Sequence, residues 1–392
     1  MKTIAIAVAS VAAATTVASA AIYGDTPDSR HAWSVHDMNR PNPVKVVAEA
    51  GTPPSDAVVL FDGTAESFEK NWCDGSGKAP RWKLGGEGDF YCEPGAKCGA
   101  IRTRRPFGDC QLHLEFRHPA DIGIVPKKGP QMHGNSGVFL MSNYEVQVLE
   151  SFGTDPDDMK NPNYADGQAG AVYAENPPSV NPARRPGTWQ TYDIIFHQPV
   201  WDGLKLLHPG SVTVLFNGVV VQDHWEMEGL TTHRRRRPLA PHADKMPLSL
   251  QDHGCKVHFR NIWIREIPSR YANTTHGGPG VDENAVAALR RKTAAELFAK
   301  IEKPVSPSIA SMEALGEIIG YACEGEYEKT WKQTSEEFNK VLDGMSDDEL
   351  KAQKRALLGL REKLDTLVRN GVISQGCGTC RRINAIALRL GW

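Results

Sequence analysis

Residues 133–151, HGNSGVFLMSNYEVQVLES, decide the fold, because they predict two strands joined by a short Ser142-Asn143 turn. The second strand alternates strictly between apolar and polar residues. Successive side chains of a strand point to opposite faces, so Glu145 and Gln147 share one face. The other face is apolar, with Tyr144, Val146 and Val148. The pattern predicts a sheet that packs on its core behind and holds something polar in front; the alternative is the wet face of an ordinary surface strand.

Short strand-like runs, separated by Gly, Pro and Asp, continue on both sides of this hairpin from Val58 to Ile267. Asn217-Gly218, between two apolar alternations, is the strongest local hairpin signal in the chain. No segment between Val58 and Ile267 shows helical periodicity over the length of a helix. Many short strands at regular spacing predict a β-sandwich or barrel over residues 57–270.

The composition then changes. After a polar, Gly-rich linker at 271–281, residues 282–392 predict a helical domain. Asp282 is a capping residue for the first predicted helix, and Ser346 with Glu349 forms a capping box for a later one. The predicted fold class is therefore mainly β with a C-terminal α-helical domain.

The N-terminus predicts export. Lys2, an apolar run and Ala18-Ser19-Ala20 form the three parts of a secretory signal peptide, residues 1–20, with cleavage after Ala20. Residues 21–56 lack periodicity and predict an extended arm. The mature protein is expected to be periplasmic or secreted and to have no membrane span, because no later segment is long and apolar enough. A net charge of −2 and one short basic run at 234–237 argue against a nucleic-acid partner.

All eight cysteines lie in the mature chain, where an oxidising compartment favours disulfides. Spacing does not fix their connectivity; Cys92 and Cys98, which flank a Pro-Gly turn, are the best local pair. The motif CGTC at 377–380 fits a redox, a metal or a structural role, and a structural disulfide is favoured. Haem attachment fails because Arg381 stands where that motif requires His, and thioredoxin-like chemistry lacks its βαβ context.

Eight segments of the chain carry a resemblance when they are taken in order. They are LFDG (60–63), EFRHP (115–119), GNSGVFL (134–140), YEVQVLES (144–151), DGQAGAVY (166–173), PGTWQTYDIIFHQP (186–199), VTVLFNGVVVQDH (212–224) and PLSLQDHG…VHFRNIWIREI (247–267). Together they resemble the 3-keto-disaccharide hydrolase family, also described as 3-keto-glucoside 1,2-lyase/3-keto-2-hydroxyglucal hydratase. The resemblance spans Ala57 to Ile267 and leaves the helical tail outside it. It implies a concanavalin-like jelly-roll sandwich and a glycoside or disaccharide substrate already oxidised at the 3-hydroxyl.

The chemistry of such a substrate assigns roles. A ketone at C3 acidifies the hydrogen on C2, so a base can remove it and the aglycone leaves C1 by β-elimination; water added to the glucal enone then gives the free 3-keto sugar. This needs a base, an acid near the glycosidic oxygen and donors for the enolate. We expect Glu145 and His253 to be the proton-transfer pair, with Glu150 in reserve if the strand bulges. The residues expected to bind the sugar are Arg117, Asn135, Gln147, Asp252 and Trp201.

Two other functions stay open. EVQVLE (145–150) resembles the E-x-D-x-x-E signature of sandwich glycosidases that include laminarinases and carrageenases, in which two glutamates act as nucleophile and acid. Gln147 replaces the middle Asp of that signature and disfavours this function. A non-catalytic sugar-binding sandwich is the second alternative, because fold does not fix function.

The sequence does not fix a cofactor. His197, Asp193 and Asp252 could join His253 in a metal site, although oxygen-rich clusters also arise by chance in polar loops. A divalent cation therefore stays open beside a mechanism that needs no cofactor.

Overall fold

The computed structural model describes residues 24–123, 129–153, 163–269 and 281–392. These residues divide into two compact units, one of residues 44–269 and one that joins 24–43 to 281–392. The signal peptide predicted at 1–20 and nearly all of the linker predicted at 271–281 lie outside the described residues.

The larger unit is built from strands, as the spacing of its turns predicts. In chain order they are β1 (Val58–Phe61), β2 (Trp72–Asp74), β3 (Lys83–Leu84), β4 (Phe90–Tyr91), β5 (Ile101–Phe107), β6 (Cys110–Arg117), β7 (Ser136–Leu140), β8 (Tyr144–Val148), β9 (Gln190–His197), β10 (Val200–Asp202), β11 (Lys205–His208), β12 (Ser211–Phe216), β13 (Val219–Glu226), β14 (Met246–Leu250) and β15 (His258–Glu266). One helix, α1 (Ala65–Asn71), lies between β1 and β2. Helix α1 is absent from the sequence prediction because two turns are too short to show a helical period.

Two antiparallel sheets form a sandwich. The eight-stranded sheet has the order β13-β12-β9-β6-β15-β4-β3, with β1 also paired to β15, and the five-stranded sheet has the order β2-β5-β14-β7-β8. Side chains of both sheets share one core, where the rings of Tyr144 and Phe196 lie 5.7 Å apart. Full burial of each such side chain contributes about 1.5–3 kcal/mol of transfer free energy.

The predicted hairpins are confirmed. Strands β7 and β8 pair from Ser136 opposite Val148 to Leu140 opposite Tyr144, without a bulge. Three residues, 141–143, form the turn, and Met141 and Ser142 have positive φ there. Asn217 and Gly218 also have positive φ, as a tight two-residue hairpin turn requires.

The smaller unit is helical, as predicted. Its helices are α2 (Glu283–Phe298), α3 (Ile309–Tyr321), α4 (Gly325–Gly344), α5 (Asp347–Ala352), α6 (Lys354–Arg369) and α7 (Gly378–Leu390). The side chain of Asp282 accepts from the backbone at the start of α2, and Ser346 with Glu349 makes the predicted capping box. None of the described helices is long and apolar enough to cross a membrane.

The predicted arm at 21–56 has no helix or strand in its described residues, but it does not stay apart from the domains. Residues 24–43 belong to the helical unit and residues 44–56 to the sandwich. The Asn39 amide donates to Glu317 at 2.6 Å, and the ring of Trp33 meets that of Tyr321 edge-on at 6.2 Å. These contacts hold the first part of the arm against α3.

Candidate active site

A cavity of about 320 Å³ lies on the face of the five-stranded sheet that points away from the core. Apolar side chains of β8 fill the core side, so the polar side chains of the same strand point into this cavity. The described residues that line it are Asn135, Phe139, Glu145, Gln147, Tyr173, Thr231, Thr232, His233, Gln251 and His253. The cavity thus brings together four of the predicted site residues.

Glu145 is the buried acid of this cavity, with 4% of its surface exposed. Burial raises the pKa of its carboxyl to about 8. With its amide nitrogen turned towards Glu145, Gln147 donates to Oε1 at 3.1 Å and to the carbonyl of Ser136 at 3.3 Å. A carboxyl held this way gains a proton near neutral pH and can return it, which suits proton transfer.

A glycine makes room for that carboxyl. Gly137 lies on β7 opposite Gln147, and a Cβ atom added there would come within 2.2 Å of Glu145 Oε1. The φ angle of Gly137 is not in the left-handed region, so the missing side chain serves space and not backbone conformation. Any larger residue at this position would displace the acid.

The cavity is closed on one side by the segment 170–173, which runs along the free edge of β8. Ala171 accepts from the backbone of Gln147 at 3.0 Å, and the backbone of Tyr173 donates to the carbonyl of Glu145 at 3.1 Å. All five residues of β8 are also buried, so the strand is not the wet surface strand of the simple alternative.

Tyr173 and His233 were not predicted as site residues. The Tyr173 hydroxyl lies 2.9 Å from His233 Nδ1 and 3.1 Å from the Tyr164 hydroxyl. Thr231 holds the segment that carries His233 beside β8, because the Thr231 hydroxyl accepts from the backbone N–H of Glu145 at 2.9 Å. The only sequence signal at His233 is the polar Thr-Thr-His triplet before the basic run at 234–237.

Asn135, Gln251 and His253 complete the polar lining. The Asn135 amide donates to the carbonyl of Gln131 at 2.8 Å, and its side chain is buried. The Oε1 atom of Gln251 is buried without a partner among the described residues, so a bound hydroxyl can donate to it. His253 is the exposed member and stands at the solvent side of the cavity.

Two predicted residues are elsewhere in the sandwich. Glu150 follows a strand that does not bulge, so the condition for its role is not met. Its carboxylate is fully buried 3.1 Å from His118 Nδ1. Arg117 ends β6 in the other sheet, where it pairs with Glu87 at 2.8 Å. Neither side chain lines the cavity around Glu145.

Trp201 and Asp252 also do not line the cavity. Trp201 lies on β10, in a separate two-stranded sheet. Asp252 accepts from the backbone of Gly99 at 2.8 Å and of Gly254 at 2.9 Å, and therefore shapes the loop that carries His253. These bonds engage both of its carboxylate oxygens with backbone N–H groups.

The predicted metal set is not assembled. His197 pairs with Asp109 at 2.9 Å and Asp193 pairs with His113 at 2.7 Å, both on the other sheet. Among the described residues, one cluster of metal-ligating types occurs: atoms of Cys92, Cys98 and Asp252 lie within 4.8 Å of one another. The predicted neighbours Cys92 and Cys98 are thus adjacent as thiols, and a disulfide between them stays a prediction.

An antiparallel sandwich with a buried acid in a polar cavity, together with its relatives, defines a carbohydrate-active enzyme. The chain belongs to the family of the 3-keto-alpha-glucoside-1,2-lyase-like domain, whose model matches residues 56–265. This confirms the family resemblance found in the sequence.

One solved structure agrees with this assignment. A "putative glycosyl hydrolase" from Parabacteroides distasonis is 36% identical, with a TM-score of 0.52, over 60% of this chain and 98% of that one. Two more proteins of that description from the same organism are 16% and 18% identical, with TM-scores of 0.37 and 0.38. Each covers 54% of this chain, over 94% and 99% of their own. Comparison with curated proteins gave no match.

Proposed function

We propose that this protein cleaves 3-keto-glycosides by β-elimination, with Glu145 as the base that removes the hydrogen on C2. The observation that carries the proposal is the single carboxyl in the described lining of the cavity, buried and with its pKa raised to about 8. A base of that strength suits a hydrogen already acidified by the neighbouring ketone. The family to which the chain belongs supports the substrate class.

The reaction proceeds through an enolate. Glu145 takes the proton from C2, the C2–H electrons form the enolate with O3, and collapse of the enolate makes the C1–C2 double bond as the C1–O bond breaks. The aglycone oxygen takes a proton and leaves. Addition of water across the double bond of the enone then gives the free 3-keto sugar.

The other side chains of the cavity divide the remaining tasks. Tyr173, which is hydrogen-bonded to His233, donates to the O3 oxygen as charge develops there. His253 stands on the open side, where the aglycone leaves, and protonates the glycosidic oxygen. Asn135 and the unpartnered oxygen of Gln251 orient the sugar hydroxyls.

The same lining disfavours a conventional glycosidase. Such enzymes use two carboxyls, about 5–5.5 Å apart when they retain configuration and about 6.5–9.5 Å apart when they invert it. The described lining offers only Glu145. Glu175, in an adjoining cavity, is held by the Trp225 indole at 2.6 Å and the backbone of Glu228 at 2.7 Å. These hydrogen bonds occupy the Glu175 carboxylate, so it does not serve as a second catalytic carboxyl.

The test uses a chromogenic glucoside and its 3-keto derivative, each with hydrogen or deuterium at C2. We expect aglycone release from the keto form alone, a transient enone absorbance and a primary isotope effect on release. Direct displacement at C1 leaves the C2–H bond intact, so release of a 3-keto sugar that keeps all of its C2 deuterium, with no enone transient, refutes elimination. Release from the unoxidised glucoside assigns the site to a glycosidase.

Two further features are part of the proposal. The basic start, apolar run and Ala18-Ser19-Ala20 pattern support export with cleavage after Ala20, and the mass of the protein recovered from the periplasm or medium tests it. The family resemblance supports a concanavalin-like jelly-roll connectivity for the sandwich.

A further inference from the structure

The CGTC motif begins helix α7 of the helical unit. Cys377 is the N-cap residue, and its sulfur accepts from the backbone N–H of Cys380 at 3.2 Å. The two sulfurs lie 2.7 Å apart, with the Cys380 thiol donating. Cys380 is buried and Cys377 is partly exposed, so only the sulfur of Cys377 is open to a reaction partner.

The surroundings favour a thiolate at Cys377. The Cys380 thiol donates to it, backbone N–H groups of Cys380 and Thr379 point at it, and Arg381 adds positive charge; together they lower the pKa of Cys377 to about 6. The same hydrogen bond, with burial and the charge of Asp365, raises the pKa of Cys380. A thiolate at a helix N-terminus with a protonated neighbour is the arrangement of a reactive cysteine.

The motif is also held rigidly against its neighbour helix. The hydroxyls of Thr379 and Ser335 lie 2.6 Å apart, which joins the first turn of α7 to α4. Gly378 lets Asn339 approach, since a Cβ atom added there would lie 3.2 Å from the Asn339 amide nitrogen. Packing of α7 on α4 therefore holds the two sulfurs in place, without the βαβ context of thioredoxin-like chemistry.

A cavity of about 550 Å³ opens beside Cys377. Trp331, Val372 and Ile373 give it apolar walls, and the exposed Cys323 also lines it. The Asn339 side chain, 8% exposed, has its Oδ1 buried without a partner among the described residues. An apolar groove with one free acceptor suits a short peptide segment whose backbone N–H donates to that oxygen.

We propose that Cys377 and Cys380 form a thiol–disulfide exchange site whose substrate is a disulfide-bonded cysteine of a polypeptide seated in this cavity. The Cys377 thiolate attacks one sulfur of the substrate, which breaks the substrate disulfide, forms a mixed disulfide and releases one substrate thiolate. Cys380 then loses its proton and attacks Cys377, which releases the second substrate thiolate. Two electrons and the Cys380 proton pass to the substrate, which leaves as one thiolate and one thiol, and the protein ends with a Cys377–Cys380 disulfide. This activity is independent of the sugar cavity.

The first test captures the mixed disulfide. The full chain is reduced, freed of reductant and mixed with a peptide disulfide whose leaving thiol is chromogenic. We expect Cys380→Ser to keep one peptide on Cys377, because the resolving thiol is gone, while the unmodified protein releases both thiols. Cys377→Ser should capture none, and Cys255→Ser, a change at a partly exposed cysteine of the sandwich unit, should behave like the unmodified protein. Oxidised glutathione, tested in parallel, distinguishes a small disulfide from a polypeptide one.

The second test needs no variant and so does not depend on their folding. Alkylation of Cys377 by iodoacetamide, located by mass spectrometry, should follow a titration near pH 6, against about 8.5 for an ordinary thiol. A midpoint near 8.5 overturns the proposal. So does capture by Cys323 in place of Cys377, or a Cys377–Cys380 disulfide that reduced glutathione cannot open, which is the behaviour of a structural bridge. Faster capture of glutathione than of the peptide overturns the assignment of a polypeptide substrate.

Discussion

Replacing Glu145 by Gln should stabilise the sandwich, and the gain should grow with pH. The carboxyl has a pKa of about 8 in the folded protein and 4.5 as its ordinary value, because burial disfavours its charge. A group with the higher pKa in the folded state binds protons more tightly there, so its ionisation above pH 4.5 favours the unfolded chain. The effect of ionisation on stability is thus opposite in sign to that of a salt-bridged carboxylate, whose ionisation stabilises the folded state.

The magnitude follows from the two pKa values. At about 1.36 kcal/mol per pKa unit, ionisation of Glu145 costs about 1 kcal/mol of folding free energy at pH 5 and about 4 kcal/mol at pH 8. Gln keeps the shape of the side chain without that cost. The stability difference between E145Q and the unmodified protein should therefore widen by about 3 kcal/mol between pH 5 and pH 8.

The assay is urea unfolding at both pH values, followed by near-UV circular dichroism of the sandwich tryptophans. The matched control is Glu69→Gln on the exposed face of α1, which should change stability equally at both pH values. A stability difference for E145Q that is the same at pH 5 and pH 8 would refute the raised pKa of the buried Glu145 carboxyl. Turnover of the 3-keto substrate by E145Q should fall by about two to four orders of magnitude, as loss of a general base does.

Three further predictions concern the same cavity. For a chromogenic 3-keto glycoside whose aglycone leaves without needing a proton, kcat/KM should rise with pH to a plateau above about pH 8, since the base acts deprotonated; a profile flat from pH 6 to pH 9 contradicts this. Gly137→Ala should lower kcat about 100-fold by displacing the carboxyl, with circular dichroism unchanged; full activity would show that turnover does not depend on this position of the carboxyl. Tyr173→Phe should lower kcat about 100-fold or more with little change in KM, measured by steady-state kinetics; an effect on KM alone would make Tyr173 a binding residue.

Much of the fold was predictable because its signals are local. The alternation of β8, the turn at Asn217-Gly218 and the cap at Asp282 each depend on residues a few positions apart, and each is confirmed. Helix α7 was not separately predicted, since a motif of two cysteines and two small residues at its start carries no capping signal. Family resemblance added the expected substrate class, which no local pattern contains.

The site was predictable only in part. Strand parity correctly placed Glu145 and Gln147 on one polar face. Parity also placed Arg117 on an outward face, but it could not tell which sheet β6 joins, and β6 pairs with β9 and β15 in the other one. Tyr173 and His233 reach Glu145 through backbone pairing and a threonine contact far along the chain, and such contacts leave no period in a sequence.

The segment 170–173 has a second consequence. Strand β8 is the outermost strand of its sheet, and an uncovered outer strand offers its backbone groups to any other chain. Ala171 and Tyr173 occupy those groups. The segment that closes one side of the cavity around Glu145 therefore also prevents aggregation along that edge. A mutation that detaches segment 170–173 from β8 would therefore lower both solubility and turnover. We expect the substrate to enter the cavity past His253, so that this edge of the sheet stays covered.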